Sequence, residues 1–144
     1  MIYLDNSATT RIADEVFDAM LPWLKDSYGN ASSIYDIGRR ARVAIESARS
    51  EIAGYLNIHP AELIFTSGGT ESNNTILKSC VNESGLVDRI VTTAIEHHAV
   101  LNPAERLQEE GVSVDFLGVN DKGTLPAASV APFNDPRTLI SVMH

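Results

Sequence analysis

From Ile34 onward the apolar residues Ile37, Ala41, Ala44, Ile45, Ala48, Ile52 and Leu56 recur at steps of three and four. That spacing gathers them on one face of an α-helix and is the clearest helical signal in the chain. A shorter one runs from about Asp14 to Lys25, with Val16, Phe17, Met20, Leu21 and Leu24 as the stripe expected to be buried. Pro22 lies within it and predicts a kink or the end of its regular part. Ahead of this helix, Ile2-Tyr3-Leu4 reads as a short strand and Asp5 to Thr10 as a polar turn. Tyr28-Gly29-Asn30-Ala31-Ser32-Ser33 reads as a loop between the two helices.

From Ala61 the pattern changes to strands alternating with helices. Leu63-Ile64-Phe65-Thr66 predicts a strand, Glu71 to Val81 a helix, and Arg89 to Ile95 a strand rich in β-branched residues. His98 to Glu110 predicts a helix closed by Gly111, followed by strands at Val112–Leu117 and Thr138–Met143. Such alternation implies right-handed crossovers and an α/β fold in three layers around a mostly parallel sheet, with the runs near Leu63, Val91, Val114 and Ile140 as its strands. Residues 1–57 then form a mostly helical N-terminal segment and residues 58–144 the α/β part. The last strand runs to His144, at the carboxyl edge where open α/β sheets bind ligands. The chain is therefore expected to be the N-terminal portion of a longer protein.

Composition narrows the function. A hydrophobic share of 44% with 21% charged residues is that of an ordinary globular chain. The net charge of −8 argues against nucleic acid as a direct partner, because neutralising phosphates takes clustered Lys and Arg. The sequence opening on Met1-Ile2-Tyr3-Leu4-Asp5-Asn6 lacks a signal peptide's basic and apolar regions, and no apolar window is long enough to cross a bilayer. The single cysteine, Cys80, excludes an internal disulfide framework and fits a reducing compartment, so the cytoplasm is expected.

Two stretches carry candidate chemistry. Ser67-Gly68-Gly69-Thr70-Glu71-Ser72-Asn73-Asn74 lies where a strand passes into a helix. A helix N-terminus presents unpaired N–H groups and a positive dipole end to an anion. Gly68 and Gly69 let backbone approach it closely, and Thr70 adds a hydroxyl donor. The spacing is neither a P-loop nor a dinucleotide fingerprint. The same residues also suit a plain corner with Thr70 as its cap and Glu71 in the first helical turn.

Ile95-Glu96-His97-His98-Ala99-Val100 repeats the arrangement one strand later. His97 falls at the carboxyl edge of the sheet, where an imidazole can stack on a flat heteroaromatic ring or move protons near neutral pH, or simply cap the helix. His98 points elsewhere from a helix start, which disfavours a metal pair. A phosphate cradle beside a stacking imidazole suggests a phosphorylated aromatic cofactor.

Together Tyr3-Leu4-Asp5-Asn6-Ser7-Ala8-Thr9-Thr10, Tyr28-Gly29-Asn30 with Ser32-Ser33, Phe65 to Asn74, and Glu96-His97-His98-Ala99-Val100 resemble cysteine desulfurases of the NifS/IscS type, in order along the whole chain. The resemblance implies a pyridoxal-phosphate enzyme of the class V aminotransferase fold, with this chain as the N-terminal part of its large fold-type I domain. It implies a homodimer that converts L-cysteine to L-alanine and passes the sulfur, as an enzyme persulfide, to acceptor proteins for iron–sulfur cluster assembly or tRNA thiolation. By position, Gly69 and Thr70 match the residues that hold the cofactor phosphate, and His97 matches the histidine that stacks over the pyridine ring and assists proton transfer. Other class V enzymes, such as a selenocysteine lyase or an aminotransferase, and a non-catalytic truncated module that binds a partner, are the alternatives.

The sequence departs from the family where Ala31 replaces a proline and Tyr35 stands at a histidine position. The family's cofactor-anchoring lysine and persulfide cysteine fall beyond residue 144. Lys25, Lys78 and Lys122 are the only lysines here, and Cys80 reads as a small buried hydrophobe. Residues 1–144 alone are thus expected to lack desulfurase activity.

Overall fold

A computed structural model describes residues 2–83 and 85–143. The chain divides into two compact units between Ile64 and Phe65.

The first unit is helical. Helix α1 (Asp14–Lys25) has the expected bounds and continues through Pro22, whose carbonyl accepts the N–H groups of Asp26 and Ser27 at 2.9 Å each. Helix α2 (Asp36–Leu56) is stopped by Asn57, which takes the left-handed conformation with φ 54°. A short polar side chain tolerates that conformation. The loop before α2 is pinned by its own turn chemistry, Asn30 Oδ1 accepting the Ser32 N–H at 2.9 Å. It meets the start of α2 backbone to backbone. A Cβ on Gly29 would lie 2.4 Å from the Ile37 carbonyl oxygen, and one on Gly38 the same distance from that of Asn30. Only glycine allows that approach.

Three expectations for this end of the chain are corrected. No residue of α1 is buried, so Val16, Phe17, Met20, Leu21 and Leu24 form an exposed stripe. Likewise α2 buries only Gly38, Ala41 and Ala53, leaving Ile45, Ile52 and Leu56 exposed; Ile34, ahead of it, is 95% exposed. Periodicity shows which face suits burial; a neighbouring surface has to supply it. Neither Ile2-Tyr3-Leu4 nor Leu63-Ile64-Phe65-Thr66 forms a strand. Pro60–Glu62 instead makes a 3-10 turn, closed by His59 and Glu62 side chains, that leads into the extended Leu63. An apolar run becomes a strand only when a ladder partner takes its hydrogen bonds, and these two runs have none among the described residues.

The second unit is the α/β part. Strands β1 (Arg89–Thr93), β2 (Ser113–Leu117) and β3 (Thr138–Ser141) form a parallel sheet in the order β2-β1-β3. Three of the four expected strands are thus in one sheet. Ile90 is in register with both Val114 and Leu139, which sets these residues on one face. Helices α3 (Gly69–Lys78) and α4 (His98–Glu109) supply Leu77, Val100, Ala104 and Leu107 to a core with Ile90 and Val114. Burying each Leu, Ile or Val of this core contributes about 1.5–3 kcal/mol. Helix α3 is shorter than expected at its end, because Ser79–Glu83 widens into a π-helical turn. The Cys80 carbonyl there accepts the N–H groups of Leu86 and Val87. Helix α4 is capped by Glu110, and Gly111 follows in the left-handed region with φ 97°. A short helix α5 (Ala127–Val130) precedes β3.

Candidate active site

The glycine turn begins α3 two residues earlier than the hydrophobic pattern suggests. Gly68 is its N-cap, in extended backbone open to any residue, and the first intrahelical bond runs from the Ser72 N–H to the Gly68 carbonyl at 3.1 Å. The N–H groups of the preceding first turn have no helical partner by geometry. A Cβ added to Gly68 or Gly69 would meet nothing within 4 Å. Neither backbone conformation nor packing within the chain therefore requires the two glycines. They leave an open cradle in front of a helix N-terminus, which is the space a phosphate needs.

Side chains brace the turn from behind. Glu71 Oε2 accepts the Ser67 N–H at 2.6 Å and the Ser67 hydroxyl at 2.7 Å. These bonds, the hydroxyl first and then the amide, hold the Glu71 carboxyl below its ordinary value. The hydroxyls of Thr66 and Ser72 are 2.7 Å apart. Thr70 has no such tie: its side chain is exposed and lines a cleft of about 450 Å³ between α3 and α4.

His97 enters the same cleft from the other side. It is the N-cap of α4, its Nδ1 accepting the Ala99 N–H at 3.0 Å. An accepting Nδ1 puts the ring proton on Nε2. The turn that carries it is fixed to the sheet, since the Ala94 N–H donates to the Leu117 carbonyl of β2 at 2.9 Å. His98 lines the cleft too, its ring 6.3 Å from that of His97 and steeply inclined to it. The expectation that His98 faces elsewhere is corrected. Two consecutive residues at a helix start both border a groove that runs along the helix.

Lys78 and Arg106 complete the cleft, and no acidic side chain lines it. Arg106 is held by Glu110 at 2.8 Å and Glu109 at 3.3 Å, which raise its already high pKa. Lys78 lies two turns along α3 from Thr70, and only the approach of α3 to α4, a tertiary fact with no local signal, brings it to this cleft. No group of side chains suited to a metal ion occurs among the described residues. No helix among them is long and apolar enough to cross a membrane.

Comparison with known proteins agrees with this arrangement. The family model for aminotransferase class-V matches residues 2–144. The chain is 42% identical over 145 aligned residues to a cysteine desulfurase IscS of Dictyoglomus turgidum, covering 99% of this chain and 37% of that protein. It thus spans little more than a third of the length of such relatives. Among solved structures, a NifS-like protein superposes with a TM-score of 0.87 at 36% identity, over 99% of this chain and 40% of that one. DndA from Streptomyces lividans superposes with a TM-score of 0.77 at 42% identity, over 99% and 41%. With its α/β fold, parallel sheet and glycine turn, this chain belongs to the class-V aminotransferase family, among relatives that are NifS/IscS-type cysteine desulfurases.

Proposed function

We propose that this chain is the N-terminal part of the cofactor domain of a pyridoxal-phosphate-dependent cysteine desulfurase, with residues 58–144 as the first half of that domain. The reaction is removal of sulfur from L-cysteine, leaving L-alanine. The observation that carries the reading is that Thr70, at the open N-terminus of α3, and His97, at the carboxyl edge of β1, border one cleft free of acidic side chains. The residues present fit the cofactor: an uncrowded Gly68-Gly69 turn and a hydroxyl for its phosphate, and an exposed imidazole for its ring.

In this reading Gly69 and Thr70 hold the phosphate, the helix N–H groups and the Thr70 hydroxyl donating to its oxygens. When bound, pyridoxal phosphate supplies the electron sink that lets bonds at the substrate's α-carbon break. His97 covers the ring, with Nδ1 committed to the Ala99 N–H and Nε2 free to hold or pass a proton. Glu71, bonded to Ser67, shapes the turn without entering the phosphate's place. The whole enzyme is a homodimer serving sulfur-acceptor proteins in iron–sulfur cluster assembly or tRNA thiolation; these points rest on the family resemblance. A cytoplasmic location rests on Cys80 being the single cysteine.

The test is to load the full-length protein with pyridoxal phosphate, supply L-cysteine, and measure alanine and protein-bound sulfur together. Over the first turnover, with no acceptor or reductant to take the sulfur away, equal amounts of both are expected, and none from residues 1–144 alone. Turnover of selenocysteine but not cysteine, or amino transfer without sulfur release, would overturn the assignment.

A further inference from the structure

Among the described residues Glu96 is the one buried acidic side chain, 9% exposed, and it stands next to His97. Its Oε1 accepts the hydroxyl of Thr93, itself buried at the end of β1, at 3.2 Å, and also the backbone N–H of Met143 just beyond β3. One carboxylate oxygen thereby ties the turn after β1 to the chain leaving β3, across 47 residues of sequence. From the opposite side the Ala94 N–H binds the Leu117 carbonyl of β2. The turn from Ala94 to His97 is thus fastened to both neighbouring strands. An acidic group taken out of water without a cation is costly unless several donors face it. A solvated surface acid would fasten nothing, so the burial and the two donors point to a positional duty.

We propose that Glu96 is a positioning residue that sets where the His97 imidazole stands, by fastening the β1–α4 turn to the end of β3. Its catalytic meaning rests on the reading of His97 given above, whereas the mechanical coupling does not. The geometry requires an acceptor oxygen at this place and not a charge. A glutamine, whose side-chain oxygen can also accept two hydrogen bonds, satisfies the same donors. Alanine leaves the buried Thr93 hydroxyl and the partly buried Met143 N–H without their acceptor.

The experiment compares Glu96→Gln, Glu96→Ala and Thr93→Val in the full-length protein. It records the His97 ring resonances by NMR without cofactor, the amide exchange of Met143, and then kcat and KM for L-cysteine with cofactor. Glu96→Gln is expected to keep the His97 resonances and the Met143 protection. Glu96→Ala should displace the resonances and speed Met143 exchange by about tenfold or more. Thr93→Val, which removes one donor and keeps the volume, should move the His97 resonances in the same direction by less, and serves if the alanine variant does not fold. With cofactor bound, the loss should fall on kcat with KM little changed. Unmoved His97 resonances in both Glu96→Ala and Thr93→Val would overturn the coupling. Displaced resonances with unchanged kcat would leave the coupling standing and instead overturn the role given to His97.

Discussion

Glu71 and Ser67 form a closed pair at the mouth of α3: one carboxylate oxygen accepts both the N–H and the hydroxyl of Ser67, at 2.6 and 2.7 Å. The carboxyl is held below its ordinary value by those two bonds. A depressed folded-state value means that the pair stabilises the turn above the ordinary carboxylate range, and that this is lost as pH falls through the lowered value. The Glu71 carboxyl carbon, followed by NMR, should therefore titrate below the ordinary glutamate value. The Ser67 amide should lose protection over the same interval, and Glu71→Gln should remove that dependence. A midpoint at or above the ordinary value would show the pair to be absent in solution.

Gly69→Ala separates a cradle from a corner. The added methyl meets nothing within the chain, so stability should be unchanged or higher by up to about 1 kcal/mol. If the turn is the proposed phosphate cradle, pyridoxal-phosphate retention by the full-length protein should nevertheless fall, because the methyl then takes up space in front of the helix N-terminus. Thr70→Val should weaken retention by about 1.5–3 kcal/mol through one lost charge-assisted hydrogen bond. Equilibrium dialysis reads both, and unchanged retention in the two variants would reduce the turn to a helix start.

Capping, which the structure shows, and covering the cofactor ring, which is proposed, can be parted at His97 by substitution. As N-cap of α4 it accepts the Ala99 N–H, and His97→Ala should cost about 1 kcal/mol of stability in urea unfolding. His97→Asn should restore the cap but not the ring, recovering stability while turnover stays low. His98→Ala, which leaves the cap intact, should affect turnover far less. Full activity in the asparagine variant would confine His97 to capping.

In the first unit, Gly29→Ala should destabilise by about 1–3 kcal/mol, because its Cβ would press on the Ile37 carbonyl, a backbone group of α2 that cannot rotate aside. In the second, Leu107→Ala should cost about 2–5 kcal/mol by opening a cavity in the core shared by α4 and β1. Thermal unfolding of the protein checks both, and a neutral Gly29→Ala would mean that the loop and α2 separate readily.

The sequence alone determined what neighbouring residues decide among themselves. The bounds of α1 and the start of α4, the parallel strands around Val91, Val114 and Ile140, and the glycine turn opening a helix all follow from period, turn chemistry and capping over a few residues. Tertiary structure decided whatever needs a second surface. Leu63–Thr66 has the apolar run of a strand yet pairs with nothing among the described residues, and the α1 stripe has the right period yet stays exposed. The shared cleft of Thr70, Lys78, His97 and His98 exists only because α3 lies beside α4. Glu96 read as one more polar residue before a helix. Its partner at Met143 is 47 residues away, and no local pattern encodes a hydrogen bond that forms only when two strand ends are brought side by side.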